Sequence, residues 1–271
     1  MRSFKRRMLI RQHAGVRRLV YYGADRPAYL QIADELRDRI ISGQLAVGER
    51  VPSGADIARQ FEVSREVARH ALAVLKAEGL TDSRYGRGTF VRPRPEIRRR
   101  SQSWYERPPD GEPTSPTTRA VLADGGTPSW NHSSQRVEAD SQTAARLGIA
   151  AGARVMRTEY VFRADTTPFQ LSTSWEPLDL TAGTDVEWPE DGAMVGVVAR
   201  YDHIGIHVDT VDELVTARMP TQTEQQLLNL PPGVPVMVIV RTYRSEGRAV
   251  ETADIVVPGD RTELHYGIAV R

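Results

Sequence analysis

The chain has 271 residues, 40% hydrophobic and 26% charged, an ordinary globular composition that is long for one compact domain and suits two. No apolar run approaches the ~18 residues that a membrane span needs, so no membrane partner is expected. There is no cysteine, which excludes disulfides, thiolate zinc sites and cysteine nucleophiles.

The formal net charge of +1 conceals a division. Residues 1–100 hold 22 Lys and Arg against 11 Asp and Glu, a net of +11, whereas residues 101–271 hold 14 against 24, a net of −10. That asymmetry predicts a polyanion partner for the first stretch and something else for the second. Residues 1–25 are strongly basic and lack the apolar core and cleavage site of a secretion signal, so a cytoplasmic location is expected. They read either as a basic arm touching phosphates or, since Met8 offers a second start, as an over-long N-terminus.

From Ala28 to Ser42 the apolar residues Tyr29, Ile32, Ala33, Leu36 and Ile40 form one helical stripe, with Pro27 at its start and Gly43 at its stop. A turn through Leu45 to Gly48 leads to Pro52 and Ser53, an N-cap for a short second helix with Ile57, Ala58 and Phe61 inward. Ser64 caps a third helix, with Val67, Ala71, Leu72 and Leu75 inward and Gly79 at its end. A longer helix followed by two short ones across a tight turn spells a helix-turn-helix. Arg65 and Arg69 share an exposed face near the start of the third helix. That end normally enters the major groove, where arginine bonds a guanine edge through two hydrogens. Taken alone, the pair reads equally well as solvated surface arginines. Next, Leu80 to Ser83 and Thr89 to Val91 flank Arg84-Tyr85-Gly86-Arg87-Gly88, a hairpin with a glycine-rich basic tip. Such a wing sets backbone and Arg87 against phosphates or in the minor groove. A strand follows this Gly-x-Gly, so it is not a nucleotide loop.

The run from Tyr29-Leu-Gln-Ile-Ala through Pro52-Ser53, Val63-Ser64-Arg65, Arg69, Ala71-Leu72, Glu78-Gly79-Leu80 and Gly86-Arg87-Gly88-Thr89-Phe90-Val91 resembles the DNA-binding domain of the GntR family of bacterial regulators. The resemblance implies DNA contacts at Ser64, Arg65, Arg69 and Gly86, with Ser53 near the backbone. Gly54 and Ala55 stand where the family has larger polar residues, and Val67 where many members have threonine. Both departures remove polar groups, so a relative's operator is not transferable.

From Arg92 to Pro116 no hydrophobic period survives; prolines alternate with charges, among them Arg98-Arg99-Arg100. This predicts a tether with extended, semi-stiff stretches, on which Trp104 and Tyr105 dock to a domain surface. The expected organisation is a basic extension at 1–25, the winged helix-turn-helix at 26–92, a linker at 93–117 and a second domain at 118–271.

In that second domain, strand-like runs cover Arg136–Ala139, Val155–Arg163, Phe169–Trp175, Ile206–Leu214, Val234–Ser245 and Val250–Val257. Short helices are expected at Asp140–Leu147 and Thr221–Leu228, the second started by Thr223 and Glu224. This pattern predicts an antiparallel-sheet α+β domain. The stretches Ala145-Arg146-Leu147-Gly148-Ile149, Ser174-Trp175-Glu176-Pro177, Ala217-Arg218-Met219-Pro220-Thr221, Leu230-Pro231-Pro232-Gly233 and Pro258-Gly259-Asp260-Arg261 are similar to the UTRA ligand-sensing domain of the HutC subgroup. The resemblance implies a chorismate-lyase-like fold, a homodimer formed through the sheet, and a small-molecule effector.

Sugar-phosphate-sensing relatives are expected to carry an Arg-x-Arg pair where this chain has Tyr160-Val161-Phe162, with Arg163 one residue out of phase. Alternate strand residues face one way. Tyr160 and Phe162 would therefore offer aromatic surface, and an effector less anionic than a phosphosugar follows; filling of the core by both rings is the competing reading. Ser172, Ser174 and Glu251 complete the candidate effector residues, Glu251 because its position meets ligand in relatives. Glu213 reads as a surface carboxylate.

The expected function is a sequence-specific regulator, a repressor released from a near-palindromic double-stranded DNA operator by a small molecule. A DNA-binding repressor that needs no effector is the rival reading. An enzyme is the remote one, since no nucleophile elbow, phosphate loop or zinc helix is present. His203 and His207 are expected on a strand, ~13 Å apart and too far to share a metal. No cofactor is expected.

Overall fold

The computed structural model describes residues 26–93, 98–101, 115–191 and 195–267. The chain divides into two compact units, one ending at Arg92 and the other beginning at Pro93. The basic extension at 1–25 and the residues Trp104 and Tyr105 lie outside the described residues.

The first unit runs α1 (Ala28–Ile41), α2 (Gly54–Gln60), α3 (Arg65–Ala77), β1 (Thr81–Arg84) and β2 (Gly88–Val91). Ile32, Ala33, Leu36 and Ile40 are buried as the stripe of α1 predicts, whereas Tyr29 is only half-buried and meets the His70 ring edge-on at 5.8 Å. Ser53 closes a capping box on α2: its hydroxyl accepts from the Asp56 amide (3.2 Å), and the Asp56 carboxylate accepts from the Ser53 amide (3.3 Å). Ser64 caps α3 by accepting from the Val67 amide at 3.3 Å. Between the two helices Glu62 adopts φ +53°, a left-handed conformation that costs a residue with a Cβ about 1–2 kcal/mol. On α3 the buried residues are Ala68, Ala71 and Leu75, while Val67, Leu72 and Val74 are partly buried. Ala68 was absent from the expected inner face.

One polar tie was not foreseen. Asp34 is buried on α1 and pairs with both Arg26 (2.6 Å) and Arg37. Arg37 in turn grips Glu78, at the end of α3, through Nε (2.7 Å) and Nη2 (2.5 Å), a two-point fork that fixes α1 against α3.

The second unit is built on a six-stranded antiparallel sheet in the order β4-β5-β6-β9-β8-β7. In chain order the strands are β4 (Pro128–Glu138), β5 (Arg154–Ala164), β6 (Thr167–Pro177), β7 (Thr210–Arg218), β8 (Val236–Ser245) and β9 (Arg248–Pro258). Two differ from expectation: β4 begins eight residues before Arg136, and β7 begins at Thr210 and not Ile206. The β8–β9 hairpin turns through Glu246 (φ +50°) and Gly247 (φ +81°), the positive pair that tight two-residue hairpins demand.

Helices α5 (Ser141–Leu147) and α8 (Gln222–Leu227) carry their clusters to one face of the sheet. Leu147 and Ala144 pack on Val155 and Trp175; Leu228 and Leu230 pack on Leu171, Val238 and Val256. Asp140 caps α5, whose first residue is Ser141, and Thr221 caps α8 in a capping box with Glu224, so the cap of α8 lies two residues before the expected Thr223. On the opposite face, α6 (Leu178–Thr181) and α7 (Val197–His203) bring Leu180 and Tyr201 against Tyr243 and Val250. There α4 (Pro116–Ala123) sets Val121 against Phe169 and Phe162.

The stretch expected to be a featureless tether contains a strand. β3 (Arg98–Ser101) pairs in parallel with β10 (Thr262–His265), in register Thr262 with Arg98 through His265 with Ser101. Backbone pairing needs no hydrophobic period, which is why the arginine run gave no sign of it. Arg98 also pairs with Asp124 (3.1 Å) and lies 5.0 Å over the Phe169 ring. The expected boundary at 117/118 falls inside α4, whose N-cap is Ser115.

Candidate functional site

Arg65 opens α3 with an exposed side chain, and among the described residues it has no ion-pair partner. Arg69, one turn on, is held by Glu66: Nε donates to Oε2 at 3.2 Å and Nη2 to Oε1 at 2.5 Å. The Arg69 guanidinium holds the Glu66 carboxyl below its usual range, and the same hydrogen bonds to Glu66 raise Arg69. Glu66 was not singled out in the sequence; its i, i+3 spacing to Arg69 was the available signal.

Ser53 and Ser64 both spend their hydroxyls on helix caps, and Ser53 also donates to Asp56 at 2.6 Å. At the wing, β1 and β2 pair from Thr81 with Val91 to Arg84 with Gly88. Gly86 has φ +69° at the exposed tip, where a side chain would be strained though nothing stands in its way. Gly88 has φ +109°, and a Cβ there would stand 2.7 Å from Nε of Arg50. Arg87 and Tyr85 are exposed beside these glycines, and Arg84 lies 4.7 Å over the Phe90 ring.

In the second unit the strand register decides which candidates share a face. Tyr160 pairs with Ser172 and Thr158 with Ser174; Ser172 pairs with Ile255 and Ser174 with Ala253. Phe162 is two residues from Tyr160, and Glu251 two from Ala253. Side chains alternate across a strand, so Tyr160, Phe162, Ser172, Ser174 and Glu251 stand on one face, the face that α6 and α7 cover at one end. Arg163 stands on the other and donates to Asn131 at 2.5 Å.

The two rings are half-buried and stack at 5.2 Å and 14°, with His132 6.2 Å from Tyr160 and Trp130 6.5 Å from Phe162 on the neighbouring strand. Phe162 packs partly on the core cluster of Val121, Ala164 and Phe169, so core filling accounts for part of its area. Tyr160 donates to Glu190 at 3.3 Å, and Glu190 has φ +70°, a strained conformation held by its surroundings. Burial, helped by the Glu190 and Glu176 charges, pushes the Tyr160 hydroxyl well above its ordinary value and keeps it a neutral donor.

Four charged residues of this face escaped the sequence reading. Arg200, on α7, is 2% exposed and forks Glu176 on β6 at 2.7 and 3.0 Å, while also donating to the Val186 carbonyl. Arg241 on β8 reaches the fully buried Glu251 at 3.1 Å and lies 4.5 Å over the Tyr243 ring. Burial raises Glu251 and Glu190 above the usual carboxylate range. Among the described residues, Oε2 of Glu251 has no hydrogen-bond partner. The polar stripe Ser172, Ser174, Glu176 at every second position was the signal for Glu176.

The expected histidine strand is not one. His203 ends α7 and meets Asp185 at 2.7 Å, and His207 meets Asp202 at 3.3 Å. Among the described residues no cluster of three His, Asp or Glu could hold a metal.

Residues 28–91 match the gntR family of bacterial regulatory proteins, and residues 125–263 match the UTRA domain. The HTH-type transcriptional repressor NagR of Bacillus subtilis is 30% identical over 89% of this chain and 94% of its own length. The HTH-type transcriptional repressor PhnF of Mycolicibacterium smegmatis is 30% identical over 83% and 86%. Among solved structures, a transcriptional regulator described as GntR-family superposes with a TM-score of 0.72 at 44% identity, covering 91% of this chain and 99% of that one. The α+β organisation, with a helical reading domain and an antiparallel-sheet domain, is the one these proteins share. The chain belongs to the GntR family, in the group with a C-terminal UTRA domain, and is a DNA-binding transcriptional regulator.

Proposed function

We propose that the chain is a homodimeric repressor that a small, weakly charged effector releases from a near-palindromic operator. Arg65 and Arg69 read bases from the start of α3, while Ser53, Ser64, Gly86 and Arg87 fix the register on phosphates through backbone and side chain. The relatives NagR and PhnF are named as repressors, which supports the sign of regulation. The edge strand β7 supports a dimer: Leu214 is 66% exposed on it and Val215 lies beside it, an apolar edge that solitary sheets avoid.

The observation that carries the effector reading is the shared face of Tyr160, Phe162, Ser172, Ser174 and Glu251. Its arginines already face carboxylates, Arg200 at Glu176 and Arg241 at Glu251. A phosphate dianion would have to displace those partners, whereas a flat, largely uncharged molecule needs only the stacked rings and the serine hydroxyls. Binding releases DNA only if it favours the state with lower DNA affinity. The mutual pairing of the same charges also favours a second reading, a repressor with no effector.

Fluorescence anisotropy of the protein on its own upstream DNA against scrambled DNA, over several salt concentrations, tests the reading. Tight, sequence-selective binding that a neutral aromatic or hydroxylated metabolite weakens is the expected result. Selective binding that no member of a metabolite library shifts supports the effector-free repressor. Binding that ignores sequence and falls steeply with salt leaves only phosphate attraction and removes both readings.

A further inference from the structure

The recognition helix carries an acid among its readers. Glu66 is the second residue of α3 and 59% exposed, on the stretch of helix that meets base edges. A carboxylate there is repelled by phosphates, so it costs affinity at every site that offers it no donor.

The donor and acceptor inventory shows what it can do. An ionised carboxylate has about four acceptor positions. Oε1 accepts from Arg69 Nη2 and faces His70 Nε2 at 3.1 Å; Oε2 accepts only from Arg69 Nε among the described residues. One acceptor position on Oε2 stays open. Arg69 has used the Nε/Nη2 edge of its guanidinium, which leaves the Nη1/Nη2 edge, itself a two-hydrogen fork, for a guanine. The His70 ring, which faces the same Oε1, is steadied by its edge-on contact with Tyr29.

We propose that Glu66 is a specificity-determining residue that, locked to Arg69, makes a two-base reader: Arg69 takes a guanine and Glu66 accepts from the amino group of an adjacent cytosine. Cytosine presents its N4 amino group in the major groove. Adenine sets the N7 lone pair beside its amino group, and guanine and thymine present carbonyl oxygens, all of which repel a carboxylate. The Glu66–Arg69 unit has no net charge, so it contributes base preference and releases no counterions, leaving phosphate attraction to groups such as Arg87 on the wing.

Site selection from a randomised duplex pool, with full-length wild-type, Glu66→Ala and Glu66→Gln proteins, tests this. Wild type selects cytosine next to a guanine in each half-site. Glu66→Ala keeps the guanines and loses the cytosine, with discrimination at that position falling about tenfold or more. Glu66→Gln moves the preference to adenine, since an amide pairs with adenine N6 and N7. Removal of the charge also steepens the dependence of log affinity on log salt by about one per half-site. Both substitutions are at an exposed position, and circular dichroism confirms that the helices persist. A wild-type preference without a cytosine beside guanine overturns the proposal. So does a Glu66→Ala preference superimposable on wild type, the result expected if Glu66 only stabilises its own helix.

Discussion

Substituting Glu176 by Gln keeps the volume of the side chain and removes the charge that faces Arg200. The two side chains are 2% and 3% exposed and meet at 2.7 and 3.0 Å, so neither has water to fall back on. Removing one partner of such a pair costs about 3–5 kcal/mol, because a buried guanidinium is left uncompensated. The amide oxygen still accepts one hydrogen bond and Arg200 keeps the Val186 carbonyl, which places the expected cost near the lower bound. For a unit of this size each kcal/mol moves the midpoint by about 2–4 °C, so a fall of about 6–12 °C is expected. Differential scanning calorimetry of the whole protein reads it, with the transition of the first unit as internal control. A second variant, Glu176→Met with Arg200→Met, replaces the pair by apolar side chains of similar size and recovers most of the loss. Two results would refute the reasoning: a Glu176→Gln midpoint within about 2 °C of wild type, or a double variant that loses as much as the separate losses combined.

Arg65→Ala weakens operator binding by about 1–3 kcal/mol per half-site and relaxes the base preference at one position; anisotropy that stays at the wild-type value contradicts its assignment as a reader. Ser53→Ala opens the capping box of α2 and lowers the stability of the first unit by about 1 kcal/mol, or about 4–8 °C for a unit of this size, in a thermal melt followed by circular dichroism. Glu251 has its carboxyl raised by burial, so its contribution favours folding below the unfolded value near ~4.3 and is lost as pH rises through the folded value. The midpoint of Glu251→Gln relative to wild type therefore climbs between pH 4 and pH 8, and a difference that shrinks over that window runs against the assignment. Leu214→Lys puts a charge on the apolar edge strand and shifts the protein toward monomer in light scattering, with operator affinity falling alongside; an unchanged dimer moves the interface elsewhere.

The first unit was legible almost residue by residue because each of its signals is local. The stripe Ile32, Ala33, Leu36, Ile40 declares a face, Ser53 and Ser64 declare caps, and two glycines beside Arg87 declare a hairpin tip. What escaped was carried by partners far apart in the chain. The pairing of Arg37 with Glu78 spans 41 residues, and neither side chain by itself differs from a solvated surface charge. The same holds for β3, whose partner strand lies more than 160 residues later and whose arginines carry no strand period.

Period did place Tyr160 and Phe162, with Ser172 and Ser174, on one face of the sheet, since they are each two apart on strands that are adjacent in it. Its charges stayed hidden for a physical reason. Arg200 comes from a helix that was not among the expected elements, and Arg241 from a stretch read only as a strand; only the fold brings them to Glu176 and Glu251. The reading head follows the same rule on a smaller scale, with Arg69 already joined to Glu66 before DNA arrives. In both units a cation is thus held by a carboxylate of the same chain, and among the described residues each pair leaves something open: a guanidinium edge and one acceptor position on α3, and on the sheet the Oε2 of Glu251 with no hydrogen-bond donor. A paired guanidinium answers only to a partner that matches its remaining hydrogens in number and direction.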